Sequence, residues 1–277
     1  WKVGGFLMEP HNPAFSWQRQ WGMFLRHFYV LRGSWPRLLE LAYWPTMQMV
    51  LWGFITTFFL QHSSWVAQAA GVLISAVLLW DVFFRSSLGV SIPFMDEMWA
   101  RNLGQIFISP LRVYEFVASL LLMSFMRTLI GVTPAALLAL PFYDVWVFQI
   151  GLPLIAFFVN LLVMGWTIGL LVSAMIMRFG LGAESLAWFG IFLFSPVSGI
   201  YYPIDTLPGW LQPVAWSLPS SHVFEGMRAV LFESRFDMGH FTSSVSLNAL
   251  YLTVAVLFFL RMYRVAREKG LLLQQGE

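Results

Sequence analysis

The chain contains no cysteine, and its 277 residues include only two lysines, Lys2 and Lys269. The first absence excludes disulfides, zinc–thiolate sites and thiol catalysis. The second leaves no phosphate-binding loop, because neither lysine follows the glycine spacing that lets backbone amides cradle a phosphate. Charge of either sign is scarce: 11% of residues are charged and the formal net charge is +2. With no basic run interleaved with aromatics, a nucleic-acid groove is excluded as well. The five histidines (His11, His27, His62, His222 and His240) are scattered, without HExxH or carboxylates at ligand spacing, so neither a metal site nor a metalloenzyme is expected. Ser220, Ser221 and His222 are adjacent but sit in no GxSxG elbow, and read as a turn and helix start. No catalytic residue and no cofactor are expected in this chain.

What fills the chain instead is apolar surface. Hydrophobic residues make up 58%, aromatic residues 18%, and the mean hydropathy is +0.70. A water-soluble fold cannot hide that much. Apolar runs long enough to cross about 30 Å of hydrocarbon lie near 38–60, 68–95, 116–139, 147–177, 186–203 and 243–262. The reading is an all-α membrane protein with six transmembrane helices. Trp17, Trp21, Trp35, Trp44, Trp65, Trp99, Trp146, Trp188 and Trp210 fall near span ends, where indole rings anchor at headgroup level. With an inside N-terminus, most arginines fall in inner loops and only Arg228 and Arg235 outside. Both termini are therefore expected in the cytoplasm.

Three features interrupt the up-and-down pattern. Residues 1–37 form a cytoplasmic segment in which Ala14, Trp17, Trp21, Phe24, Leu25, Phe28 and Leu31 recur at three- and four-residue steps, the stripe of a helix lying in the membrane interface. The loop 96–114 begins with Asp96 and Glu97, residues that favour a helix N-terminus, and its helix should stop before Pro110. Met95, Met98, Trp99, Ile106 and Phe107 suit either capping the bundle or docking another protein. Residues 201–237, divided by Pro203, Pro208, Pro213 and Pro219, read as an ordinary structured loop or as a hairpin dipping into the outer leaflet. A tail, 263–277, follows the six-span domain of 38–262.

Charges inside the spans carry most functional weight, since each costs at least about 2.5 kcal/mol to insert. Asp81 and Arg85 are four apart in span two and share a helical face; Arg127 is in span three. They either neutralise one another or line a wet pathway. Asn160 in span four is a weaker pathway candidate, since such amides more often bond between helices.

The order of parts resembles the membrane subunit of type 2 ABC transporters, the ABC-2 permease family. The stretches that carry the resemblance are DEMWARNL and SPLRVYE within Asp96 to Glu115, and SPVSGIYYPIDTLPGWLQPVAWSLPSSHVFEGMRAVL at Ser195 to Leu231. The chain departs from the family's glycine- and threonine-rich patch at Trp99, Ala100, Arg101 and Asn102. The resemblance implies a coupling helix against a separate ABC ATPase subunit, present in two copies, made by Met95, Asp96, Glu97, Met98, Trp99, Arg101, Asn102, Leu103, Ile106 and Phe107. It also implies a homodimer in a bacterial inner membrane, with an outer gate containing Tyr201, Tyr202, Pro203 and Trp210. ATP and magnesium would bind the partner. The resemblance implies export by alternating access, and a cavity lined mainly by Phe, Met, Leu and Trp favours an apolar or amphipathic cargo, for instance a lipid, a lipid-linked glycan or a drug. The competing reading is an ion-coupled secondary carrier that uses Asp81 and Arg85. It lacks support from an inverted repeat or paired broken helices.

Overall fold

The structure, a computed structural model, describes residues 15–62 and 66–270. Those residues form helices and connecting turns, with no strand among them. In chain order they are α1 (Trp17–Arg32), α2 (Trp35–His62), α3 (Val66–Trp99), α4 (Leu103–Ile108), α5 (Val113–Tyr143), α6 (Leu152–Phe179), α7 (Leu186–Phe194), α8 (Gln212–Trp216), α9 (Pro219–Glu233) and α10 (Met238–Glu268). Ala14 of the expected stripe lies outside the described residues.

Four helices are both long and apolar enough to cross a membrane: α3 from Val72, α5, α6 and α10. They match expected spans two, three, four and six. Helix α2 has 28 residues, about 42 Å at 1.5 Å per residue, but Glu40, Gln48, Thr56 and Thr57 dilute its apolar face. Helix α7 has nine residues and continues as an apolar stretch only to Val197. It is therefore shorter than the roughly 20-residue run expected there.

Helix α3 is the axis of the fold, packed on α6, α5 and α2. Of its most apolar window 83% is buried inside the chain, against 22% for α10, so α3 is shielded by protein while α10 keeps most of its surface for lipid. The α3–α6 seam is built from small residues. A Cβ added at Gly165 would overlap Ser86 and come within 2.7 Å of the Phe83 carbonyl; one at Gly169 would lie 2.6 Å from the Ser87 carbonyl. Close backbone approach of this kind replaces the hydrophobic effect as the adhesive between helices in lipid. Polar bonds add to it. Ser124 of α5 donates to the Ser86 carbonyl at 2.8 Å and accepts from the Trp166 indole at 3.1 Å. Tyr143 donates across to the Val50 carbonyl of α2 at 2.8 Å.

The α1 stripe is split by the fold. Phe24 and Leu31 are buried together with Gln20, Met23 and His27, while Trp17 and Trp21 stay exposed, 75% and 52%. The indoles flank the face against protein, Trp21 stacking on the buried Phe24 at 4.9 Å between centroids, and their exposed surface can anchor at an interface. What fixes α1 is ionic. Glu115, fully buried in the first turn of α5, accepts from Arg19 at 2.7 Å and from the backbone amides of Ser16 (2.8 Å) and Arg112 (2.9 Å).

Candidate functional site

At one end of α3 the expected coupling residues divide into those that build and those that show. Asp96 and Glu97 do not start a helix. They occupy the last turn of α3, where the helix dipole opposes negative charge. Cations from two other helices reverse that penalty: Arg37 of α2 donates to Asp96 at 3.1 Å, and Arg26 of α1 grips Glu97 through two bonds of 2.8 Å. The chain then turns at Arg101, held at φ 57°, and α4 runs for six residues before Pro110, as expected. Met95, Glu97, Leu103 and Ile106 are buried inside the chain, and Asp96, Met98 and Asn102 are half-buried. Trp99 (47% exposed) and Arg101 face out, joined by Ile108 at 84%, which the sequence did not single out. The Phe107 side chain lies outside the described residues.

Behind this end lies a small cavity of about 290 Å³ under α1, bordered by His27, Glu97, Asn102 and Arg127 together with Leu31 and Met123. Burial pushes the His27 imidazole down to about 4, and the nearby Arg26 and Arg127 guanidiniums push the same way. Glu97 approaches His27 Nδ1 at 3.8 Å, but its charge is already neutralised by Arg26.

A larger cavity of about 440 Å³ follows α3 between α2 and α7. Its wall includes α3 residues from Val77 to Trp99, a run of about 33 Å at 1.5 Å per residue. It therefore reaches from the α4 end to the connection after α7. Five tryptophans line it: Trp44, Trp52, Trp80, Trp99 and Trp188. Asp81, Arg85 and Arg127 all border it, so the structure brings together three of the four pathway candidates. Of the two readings of Asp81 and Arg85, the direct ion pair is not formed: no bridge joins them, and Asp81 Oδ2 with Arg85 Nε and Nη2 are buried without hydrogen-bond partners. Sharing a helical face put them one turn apart, yet Arg85 lies instead against Gly131 of α5, where an added Cβ would meet its Cδ at 2.7 Å. Asn160 is elsewhere. Its Oδ1 accepts from Ser244 at 2.8 Å and Asn248 at 3.0 Å, tying α6 to α10.

At the other end, Tyr201 stacks on Trp52 of α2, 4.7 Å between centroids, and both rings border the cavity. Tyr202 donates to the Pro196 carbonyl at 2.6 Å, Pro203 is exposed, and Trp210 is 76% exposed. Arg228 of α9 donates to the carbonyls of Gly199 and Tyr202 and pairs with Glu225 at 2.9 Å, while Glu225 accepts from the Ile204 amide at 2.8 Å. One ion pair thus fixes the whole 199–204 turn.

A family model described as the ABC-2 type transporter matches residues 28–232. The chain belongs to the ABC-2 type transporter family. No curated protein matches it. The matched region begins inside α1 and ends in α9, so it contains the larger cavity, the α4 end and the Glu225–Arg228 clamp, while the smaller cavity also draws on Arg26 and His27 ahead of it. An ABC-2 membrane domain is an integral membrane permease component, distinct from the nucleotide-binding one, and the family works with an ABC ATPase partner.

For this ABC-2 domain, sequence reasoning missed three working parts. Glu115 and Glu225 were visible only as isolated acids; nothing in their spacing pointed to Arg19 or to the Ile204 amide. Gly165 and Gly169 did carry a signal, the small-xxx-small spacing of helix seams. The histidines read as scattered, yet His222 and His240 meet with Nδ1 atoms 3.2 Å apart, beside the Trp216 ring. The described residues hold no cluster of three or more His, Cys, Asp or Glu suited to a metal.

Proposed function

We propose that the chain is the membrane half of an ATP-driven exporter, moving an apolar or amphipathic cargo through the 440 Å³ cavity along α3 while a separate subunit hydrolyses ATP. The observation that carries this reading is continuity: the cavity wall begins at Asp96 and Trp99, next to the exposed α4 surface, and ends at the Tyr201–Trp52 stack. Motion delivered at α4 would be passed along α3 to the far closure, with energy entering through differential affinity for two states. Family membership supports the ATPase partner. In the full arrangement α2 and the α7 region complete six spans, both termini lie in the cytoplasm of a bacterial cell, two copies pair, and Tyr201, Tyr202, Pro203 and Trp210 form the outer gate.

The test is purification from native membranes with identification of copurifying chains. Wild type should bring an ABC ATPase with it. A Trp99→Ala, Arg101→Glu, Ile108→Arg triple variant, changed only at exposed positions, should lose the ATPase while keeping its own melting temperature. Retention of the ATPase by that variant would refute the coupling surface. The ion-coupled carrier has one observation in its favour, the unpartnered Asp81 oxygen. It would show as transport by the lone chain down an ion gradient.

A further inference from the structure

The cavity along α3 contains a chemical asymmetry that narrows its ligand. Six charged residues border it, three of each sign: Arg37, Arg85 and Arg127 against Glu40, Asp81 and Asp96. Arg37 and Asp96 are spent on one another at 3.1 Å. The remaining four balance, and they are arranged in order. Asp81 lies nearest the closure, within electrostatic reach of Tyr201; Arg85 is one turn further along α3; Arg127 follows, close enough to Arg85 and Asp96 to feel both charges. Asp81 and Arg85 nevertheless leave buried polar atoms without partners. Buried charges of this kind are expensive unless something completes them.

We propose that this cavity binds a zwitterionic amphipath carrying an ammonium and a phosphodiester, as in an aminoalkyl phospholipid, with the ammonium at Asp81 and the phosphate between Arg85 and Arg127. The inference rests on the reading of the cavity as the cargo path. Net neutrality is the first argument, because a dipolar but uncharged ligand enters without adding charge to a low-dielectric space, whereas a simple anion or cation does not. Order is the second. Four residues of helix separate the two poles by about 6 Å, a gap that a short aminoalkyl link between amine and phosphate covers. Ring chemistry is the third: Trp52, Trp80 and Tyr201 gather at the Asp81 end, and aromatic faces beside a carboxylate favour ammonium groups. Guanidiniums at the other pole match phosphate oxygens two at a time. Acyl chains find their place against Trp44 and Phe192, both exposed at the rim. Glu40, exposed on α2 and in electrostatic range of Arg85 and Arg127, supplies the second negative charge of that balance.

The experiment is calorimetric titration of the purified full chain in a non-ionic detergent with three probes. These are dihexanoyl phosphatidylethanolamine, dihexanoyl phosphatidylglycerol and glycerophosphoethanolamine, which has the same headgroup without acyl chains. The ethanolamine lipid should bind about tenfold more tightly than the glycerol lipid, the scale of one charge-assisted bond. The headgroup alone should bind more weakly than the lipid. Asp81→Asn should abolish the preference, Arg85→Gln should weaken both lipids about tenfold, and Trp52→Leu, a rim change that spares the core, should weaken the ethanolamine lipid about threefold. Equal affinity for the two lipids, or a preference that survives Asp81→Asn, overturns the proposal. A headgroup that binds as tightly as its lipid overturns the amphipath. None of these readouts involves ATP, so lost headgroup selectivity in a chain that still copurifies its ATPase would sink this inference and leave the exporter reading standing.

Discussion

Replacing Gly165 by alanine tests whether the α3–α6 seam sets the position of the cavity wall. The added methyl would overlap Ser86 Oγ, lie 2.9 Å from Ser86 Cβ and lie 2.7 Å from the Phe83 carbonyl oxygen. A hydroxyl can rotate away, but a Cβ and a carbonyl belong to the helix itself. Restoring contact from 2.7 Å to an ordinary 3.4 Å requires the helices to part locally by about 0.7 Å. Overpacking of this kind costs about 1–3 kcal/mol, and alanine returns up to about 1 kcal/mol as the better helix former. The net expectation is destabilisation by about 1–2 kcal/mol, or a melting temperature lower by about 2–8 °C. Gly22 in α1 is the control, because an added Cβ there meets nothing within 4 Å. Gly22→Ala should raise the melting temperature by up to about 4 °C from helix propensity alone. The assay is thermal unfolding of both purified variants in one detergent. A Gly165→Ala protein that melts at or above wild type would refute the reasoning, since it would mean that the two helices are not in backbone contact.

Other expectations follow from buried charge. His27 has a folded pKa of about 4, below its ordinary 6.5. Its contribution is therefore complete above pH 6.5 and lost as pH falls towards 4, about 3 kcal/mol across that window. His27→Gln should flatten the wild-type fall in melting temperature between pH 7 and 4.5, and parallel curves would contradict the assignment. Glu115→Gln removes the charge and one of the two oxygens that accept from Arg19, Ser16 and Arg112, so α1 should loosen by about 2 kcal/mol and residues 16–32 should be cut faster by protease. Arg228→Lys keeps the charge but lacks the fork that reaches Gly199 and Tyr202. The 199–204 turn should then become accessible to a thiol reagent at a Tyr202→Cys reporter, whereas unchanged labelling would argue against the clamp.

How much of this was legible in the residues depends on whether the signal was local. Apolar length identified the four strongest spans, and the boundary at Pro110 was read correctly because proline constrains its own neighbourhood. Asp96 and Glu97 were misread as a helix start for the same reason: their local preference was real, but Arg37 and Arg26, 59 and 71 residues away, overrode it. The choice between pairing and lining for Asp81 and Arg85 was not legible for a similar reason. Four-residue spacing places two side chains on one face but does not say what else competes for them, and Arg85 is drawn towards Gly131 of a different helix. Family resemblance pointed to the segment at Ser195 to Leu231, but the role of Arg228 there, holding the carbonyls of Gly199 and Tyr202, depends on a fold that spacing does not reveal.

The placement of Asp81 and Arg85 in the most enclosed helix also has a consequence for how the protein is made. When α3 leaves the ribosome it carries two charges, Asp81 and Arg85, well inside its span, at about 2.5–3.5 kcal/mol each on insertion scales, and the helix that shields its small-residue face has not yet been synthesised. Helix α6 ends at Phe179, 80 residues after Trp99, a delay on the order of 10 s at typical elongation rates. For that interval the nascent membrane domain presents a helix with two uncovered charges in its span to the insertion machinery and to membrane proteases. Codon changes that slow translation between α3 and α6 would lengthen this exposure and lower yield without altering a single residue.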